Sequence, residues 1–489
     1  METKAYIQSL LKGKGIEINT NRNSLFDEFV NYESNKEMVK SIFENQSKIM
    51  INWNIKNRIA DIQAQHIVIP NAKELIPYSA KIDFKALKLD DLIVSEFEGL
   101  ENLGLNFNIE TDTLEGTPTK SGDVKFKLLF KVNGEEETAP LNEKLISLVI
   151  NPDPKSLWKL LPSNQELLFS KVDDISILEQ LGDKNIVVSS KRGRSHGKEI
   201  ENTGFGSSRD DDFAFKYFEK TQWSLVVVSD GAGSAYLARI GSKLACDAVV
   251  EYFEQIADIE KTKEFEDKIL EYNQDKTEGK LKEIQVLSKQ NLYKASVFVH
   301  NKLKEFAEQT FSTNPELFNN PKAKNNLEYL HSTLIFTLHK KYEFGYLIQS
   351  FGVGDCPTAV MSKDKTETTL MNWLDVGEHG GGTRFITQPD IFHSTERPVA
   401  TRFNLKIIED FSYLFLMTDG IYDAKFEVEA NLEKHEKWLA FLEDLDGKNE
   451  GNDKVDFNKD NSEIANQLSK WMDFWSAGNH DDRTLAIVF

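Results

Sequence analysis

W-S-L-V-V-V-S-D-G-A-G-S-A, residues 223–235, is the stretch on which the fold of this chain turns. Leu225, Val226, Val227 and Val228 make a near-continuous apolar run, which predicts a buried strand. The run leads to Asp230, and Gly231, Ala232, Gly233 and Ser234 follow. The glycines let the backbone turn where a Cβ would clash. Leu237, Ile240, Leu244 and Ala248 then recur at helical spacing, with Ser234 placed to cap that helix. A carboxylate at a strand end, beside a tight turn, can offer side-chain and carbonyl oxygens to a hard divalent cation. The same Asp-Gly can equally be a surface turn, so the rest of the chain must choose.

The chain has 489 residues, too many for one ordinary core, and two or three domains are expected. With 40% hydrophobic residues and 32 Phe, it has ample material for folded cores. A net charge of -20 argues against a nucleic-acid binding surface. The two cysteines, Cys246 and Cys356, show no metal-type C-x-x-C spacing and no disulfide framework, and Cys246 reads as a small core residue. The first residues lack a secretory pattern, and no run approaches the ~18 apolar residues of a membrane span. A soluble, cytoplasmic protein is therefore expected.

The fold class expected is α+β and multidomain. Residues 1–62 read as a helical lead segment: Ser34 with Glu37 fits a capping box, and Met38, Ile42, Ile49, Met50 and Trp53 fall on one side of a helix. Residues 63–152 carry short β-prone runs at 67–69, 84–86, 105–107 and 124–130, with turn residues between the later ones, and predict a small antiparallel β-sandwich. Residues 104–122, G-L-N-F-N-I-E-T-D-T-L-E-G-T-P-T-K-S-G, resemble the immunoglobulin-like modules related to cadherin-type repeats. That likeness implies a spacer or binding domain. Pro152, Pro154 and Pro162 mark a linker over 153–184, in which 165–181 is a short helix or an extended connector.

The zone from 185 to 489 places acidic residues at strand ends and turns in a repeated way. Asp210, Asp211 and Asp212 precede Phe213-Ala214-Phe215. Gly354-Asp355 follows the run 346–351, Asp419-Gly420 follows the run 411–417 with Asp423 four residues on, and His480-Asp481-Asp482 precedes the last strand, 485–489. Most of the 79 acidic residues face solvent, and three in a row most simply form a solvated turn. Asp230, Asp355 and Asp419 differ, because each closely follows an apolar strand and touches a glycine. A charge near such an end needs a partner or a metal. Carboxylates delivered by several strands can clamp two cations ~3.5–4 Å apart.

G-R-S-H (193–196), R-D-D-D-F-A-F (209–215), S-D-G-A-G-S (229–234), H-S-T-L (331–334), V-G-D-C (353–356), F-L-M-T-D-G-I-Y-D (415–423) and H-D-D-R-T (480–484) together resemble the metal-dependent PP2C (PPM) protein serine/threonine phosphatases. The likeness covers about three fifths of the chain. It implies a four-layer α/β/β/α sandwich over 185–489, with insertions at about 254–330 and 425–470 and the metals in a cleft at one end. It implies Mg2+ or Mn2+, as two ions with a possible third. Asp230 matches the aspartate bridging both metals, Gly231 a carbonyl ligand, Asp419 and Asp481 the ligands of the second metal, and Asp355 a ligand of the further one. Asp211 matches the early aspartate beside the cluster, with Asp212 as fallback. His331 stands where relatives carry a small residue, as a metal or substrate group or as a turn histidine.

Many relatives also carry a phosphate-binding arginine shortly before the early aspartate, and residues 204–208 here hold none. Arg194 is the preferred substitute, with Arg209 the other and Arg483 weaker. His196 is the general-acid candidate for the leaving alcohol. The implied mechanism is direct in-line attack on phosphorus by a water activated between two cations, with no covalent enzyme intermediate. Residues 376–385 and the charged stretch 425–460 are expected near the cleft, and 447–460 as a mobile loop. The first half of the 254–330 insertion is expected as a solvated excursion. Relatives of this style look bacterial and can accompany a Ser/Thr kinase and a von Willebrand factor A-like protein. The partner implied is thus a phosphorylated protein. The alternatives are a catalytically weak or inactive phosphatase-like scaffold and a phosphoesterase acting on small esters.

Overall fold

The computed structural model describes residues 3–196, 204–256, 259–375, 382–395, 397–476 and 480–489. The chain divides into two compact units, Met1–Leu157 and Trp158–Phe489.

In the first unit, helices Thr3–Gly13, Asn23–Asn31 and Glu33–Ala64 gather Ile7, Phe26, Val30 and Val39 into a small core. The Ser34/Glu37 capping box does not form. Tyr32 holds the N-cap position without a side-chain bond, and Ser34 lies inside the helix. Met38, Ile49, Met50 and Trp53 are exposed, because the long helix packs through Val39 at one end and Ile59 and Ile62 at the other. Seven strands follow. β1 (Ala72–Lys73), β7 (Asn142–Asn151), β6 (Gly122–Val132) and β3 (Leu92–Glu98) form one sheet, in that order. β2 (Tyr78–Lys81), β5 (Thr113–Gly116) and β4 (Leu105–Asn108) form a second. The sheets share one core, in which Leu105 and Leu114 meet Phe126, Leu128 and Ile146. The 67–69 and 84–86 runs are not strands, although Ile67 and Ile69 are still buried in that core.

The second unit is a four-layer α/β/β/α sandwich. One sheet has the order β12 (Asp212–Phe218), β13 (Trp223–Ser229), β14 (Leu334–Tyr342), β15 (Gly345–Val353), β18 (Phe403–Ile408). The other runs β17 (Thr368–Leu370), β16 (Thr358–Ser362), β19 (Phe411–Met417), β20 (Arg483–Val488), β10 (Lys184–Lys191), β9 (Asp174–Leu181). β8 (Trp158–Lys159) and β11 (Ser195–His196) make a separate two-stranded pair. The apolar run in β13 is continuous because both faces are buried: Leu225 and Val227 pack toward helices Ala238–Ile256 and Glu278–Thr313, whereas Val226 and Val228 meet Val188, Leu416 and Ala486 of the opposite sheet. Each such side chain contributes ~1.5–3 kcal/mol by leaving water. On the far side, Phe415 and Ile487 pack under Trp438, Phe441 and Trp471.

Four local expectations change. Residues 174–181 are not connector but edge strand β9, paired along its length with β10. The 259–274 stretch is not a solvated excursion. It is a helix, Ile259–Gln274, that buries Phe265 and Ile269 one turn apart, while Glu266 accepts from Trp223 Nε1 (2.9 Å) and Tyr342 Oη (2.8 Å). In the 425–460 stretch, Trp438, Leu439, Phe441 and Leu442 predict a short amphipathic helix, and helix His435–Leu445 forms there, with Trp438 and Phe441 committed to the core. The loop after it is pinned by buried Val455 and by Asn449, whose amide reaches the Asp444 and Asp453 carbonyls. Ser234 does not cap a helix, which begins only at Ala238.

One buried group sets a pH dependence. His339 of β14 packs edge-on to Phe411, and neither ring nitrogen has a hydrogen-bond partner. Burial lowers its pKa to about 4. The unfolded chain, at ~6.5, takes up the proton first, so stability falls as pH drops from ~6.5 towards 4, by ~3 kcal/mol in total. Denaturant unfolding of His339→Leu beside the unsubstituted chain should show that loss removed. Parallel pH curves for the two proteins would contradict it.

Candidate active site

Strand register brings the acidic motifs to one end of the sandwich. Asp212 pairs with Ser229, Val228 with Ile335, and Leu334 with Val353, so 211, 230 and 355 lie at one edge of the first sheet. In the second sheet Met417 pairs with Leu485, which puts Asp419 and Asp481 together. Asp230 is fixed through its backbone: its N–H donates to Thr333 Oγ1 (2.9 Å), and its carbonyl accepts from Thr333 N (2.8 Å). Gly231 bridges to Ser332.

Asp211 is almost fully buried. Its Oδ2 accepts from Thr418 Oγ1 and Thr484 Oγ1, both at 2.8 Å, while Oδ1 has no partner. Asp355 repeats the pattern, with Oδ2 accepting from Thr383 Oγ1 (2.7 Å) and a buried Oδ1 that has none. Asp230, Asp355 and the Cys356 thiol present ligand atoms within 4.8 Å of one another. Asp419 opens helix Asp419–Phe426, and Asp481 sits at an exposed position just before β20.

All five carboxyls are pushed above the ordinary range. Loss of water around the carboxyl is the first cause in every case, even for Asp481, which keeps part of its residue surface exposed. For Asp230 the carboxylates of Asp419, Asp211, Asp481 and Asp355 add to it. For Asp419 it is Asp481, Asp355 and Asp211. Asp211 rises to about 7, with Asp482 the next cause, and Asp481 to about 6, again with Asp482. Asp355 also rises through burial. Like charges gathered in a partly dry cleft, with two buried oxygens unpartnered, are the environment that a divalent cation neutralises. The oxygen-rich donor set therefore fits a hard cation.

Sequence reasoning missed the groups that hold this cluster in place. Asp482 accepts from Gly193 N (2.6 Å) and from Asp210 N, tying the 193–196 and 209–212 motifs to the start of β20. A Cβ at Gly193 would overlap the His480 carbonyl, and one at Gly420 the Asp482 carbonyl, so both glycines are needed for that close approach. The doubled aspartate in H-D-D-R-T was the available signal. Lys171 carried none, since it lies in the stretch read as linker. Its buried ammonium donates to the Asp211 carbonyl (2.7 Å), the Asp212 carboxylate (3.1 Å), Ser242 Oγ (3.1 Å) and the Asp210 carbonyl (3.3 Å). Lys171→Met should cost about 2 kcal/mol in denaturant unfolding, by stranding these acceptors. An unchanged midpoint would remove that role.

The arginines divide. Arg209 is buried and spent on the Val172 and Asp211 carbonyls and on Ser190 Oγ. Arg483 is buried and spent on the Met472 and Phe474 carbonyls, lying 3.8 Å over the Phe474 ring. Both are structural, which corrects their candidacy for phosphate. Arg194 is half-buried and donates to the Asp473 carbonyl (3.0 Å). The backbone of His196 pairs with Trp158, and its side chain lies outside the described residues, as do 376–381 of the expected cleft segment. His331 is a turn histidine, with Nδ1 2.6 Å from Thr387 Oγ1 and its ring stacked on Phe385.

The profile of the family described as Protein phosphatase 2C matches residues 179–473. The match spans more than half of the chain, and the chain belongs to that family. No curated protein matches the sequence. Among solved structures, a bacterial serine phosphatase is 15% identical, with 62% of this chain and 96% of that one covered at a TM-score of 0.33. The S. agalactiae serine/threonine phosphatase is 13% identical, with 63% and 99% covered and a TM-score of 0.34. The serine/threonine phosphatase Stp1 from Staphylococcus aureus is 15% identical, with 64% and 96% covered and a TM-score of 0.32. No helix among the described residues is long and apolar enough to cross a membrane.

Proposed function

We propose that this protein hydrolyses phosphoserine and phosphothreonine esters in proteins with the help of Mg2+ or Mn2+. The observation that carries the reading is the convergence of Asp211, Asp230, Asp355, Asp419 and Asp481, each held above the ordinary carboxylate range by burial and by its neighbours. Asp230, the Gly231 carbonyl, Asp419 and Asp481 would hold two ions, and Asp355 would help to hold a third. Such ions supply Lewis acidity toward the phosphoryl oxygens and a more acidic water. Asp211, oriented by Thr418 and Thr484, keeps Oδ1 free to accept a hydrogen bond from that water. Arg194, whose side chain is only half-buried, is the phosphate donor in this reading, and His196 protonates the leaving alcohol.

The immunoglobulin-like resemblance of the first unit, the cytoplasmic setting and a partner kinase with a von Willebrand factor A-like protein belong to the same reading. The phosphatase would reverse the kinase, and the first unit would bind or space a partner. One observation favours the scaffold alternative: Arg209 and Arg483 are committed to structure, which leaves fewer cations for phosphate. The test is turnover of a phosphothreonine peptide by the full chain with Mn2+. Hydrolysis abolished by EDTA supports the proposal. No hydrolysis of any phosphopeptide favours the scaffold, and hydrolysis confined to small esters favours a small-molecule phosphoesterase.

A further inference from the structure

A cavity of about 330 Å³ is lined by Asn372, Trp373, Leu374, Asn404, Glu429 and Glu433 among others. Trp373 is 69% exposed, more than any other large apolar side chain described in this unit. Its neighbours are firmly anchored. Met371 is buried, and its N–H donates to the Thr358 carbonyl (2.7 Å). The Asn372 amide donates to the Cys356 carbonyl (2.8 Å) and accepts from Thr358 N (2.6 Å). Asp375 N donates to the Gly354 carbonyl (2.8 Å), and the Asp375 carboxylate is clasped by Arg397 and Arg402. An exposed indole is thus bolted on both sides to the segment that carries Asp355. A large aromatic presented to solvent from an anchored stretch of backbone is a typical binding anchor.

The same cavity is lined by Glu429 and Glu433, on the 3-10 turn Glu429–Glu433. Neither forms an ion pair among the described residues, whereas Glu427 nearby is paired with Lys437. Asn372, which lines the cavity, donates to the carbonyl of Cys356, and Asp375 N to that of Gly354, so the cavity adjoins the segment of Asp355 from both sides. These two glutamates share their cavity with an indole. A cavity that offers both an indole and carboxylates suits a guanidinium, which stacks on a ring and donates from its edges.

We propose that this cavity is a specificity subsite for a basic side chain, arginine above all, flanking the phosphorylated residue of the protein substrate. The proposal rests on the phosphatase reading for the identity of that substrate.

The test uses the full chain with Mn2+ and labelled peptides bearing a non-hydrolysable phosphonate in place of phosphothreonine, read by fluorescence anisotropy. One arginine is moved position by position along both flanks, and each peptide is matched with its neutral citrulline counterpart. At one position arginine should bind about tenfold more tightly than citrulline. Glu429→Gln with Glu433→Gln should bring that ratio close to one, and Trp373→Ala should reduce it. A ratio near one at every position in the unsubstituted chain overturns the subsite. So does a ratio that survives the double substitution, which would mark general attraction to a chain of net charge -20. Binding is read without turnover, so the two readings separate. Arginine selectivity without hydrolysis of any phosphopeptide keeps the subsite and sinks the phosphatase; hydrolysis without selectivity does the reverse.

Discussion

Asp230→Asn is expected to abolish Mn2+-dependent hydrolysis of a phosphothreonine peptide, by ~10³-fold or more. The same substitution should raise the unfolding temperature of the metal-free protein. Both effects have one cause. The carboxyl of Asp230 is pushed up first by burial and then by Asp419, Asp211, Asp481 and Asp355. A carboxyl whose pKa is raised by folding is destabilised in its ionised form at every pH above its unfolded value. At pH 7 in EDTA, the neutral asparagine relieves that repulsion while keeping the size and the backbone bonds to Thr333. With Mn2+ present the order reverses, because a ligand that binds only the folded state stabilises it. The measurement is a pair of thermal melts, in EDTA and in Mn2+, beside the activity assay. Metal-dependent turnover that survives the substitution, or an identical Mn2+ shift in both proteins, would sink the assignment of Asp230.

Asp375→Ala should be the most destabilising of the single substitutions considered, by ~3–5 kcal/mol. Asp375 is buried, accepts from Gly354 N (3.0 Å) and Arg402 Nη2 (3.1 Å), and is also clasped by Arg397 Nη1 and Arg402 Nη1. Truncation leaves Arg402, itself buried, without its counter-charge. It also frees Gly354 next to Asp355, so activity should fall along with stability. Denaturant unfolding checks the first effect. Asp375→Asn keeps a hydrogen-bond acceptor at this position and should cost less. An Ala variant within ~0.5 kcal/mol of the unsubstituted chain, as for an ordinary surface change, would show that the clasp does not hold this segment.

The acidic motifs were readable because each follows or precedes an apolar strand, and strand ends concentrate function. Their partners were harder to read. Thr418 and Thr484 lie within recognised motifs, yet only the meeting of β19 with β20 shows that both hydroxyls bind one oxygen of Asp211. Arg209 and Arg483 looked like phosphate ligands because an arginine's sequence neighbours do not reveal whether its donors are already spent on carbonyls. Helix Ile259–Gln274 looked solvated because its charges outnumber the two residues, Phe265 and Ile269, that pack into the core.

The sequence by itself determined the strands, turns and acidic motifs of the second unit, and the resemblance carried by those motifs implied the sandwich. Strand periodicity, turn glycines and the spacing of aspartates are local properties, and the chain carries them whatever it packs against. Tertiary structure alone decided which charges are compensated and which are not. Lys171 reaches across 40 residues to the Asp211 carbonyl, and Asp482 across 289 to Gly193. Asp230, which began as one residue of an ambiguous Asp-Gly turn, becomes part of a repelling cluster only when four other chain segments arrive beside it. Coulomb energy depends on distance in space and on the loss of water, and neither can be read from order along the chain.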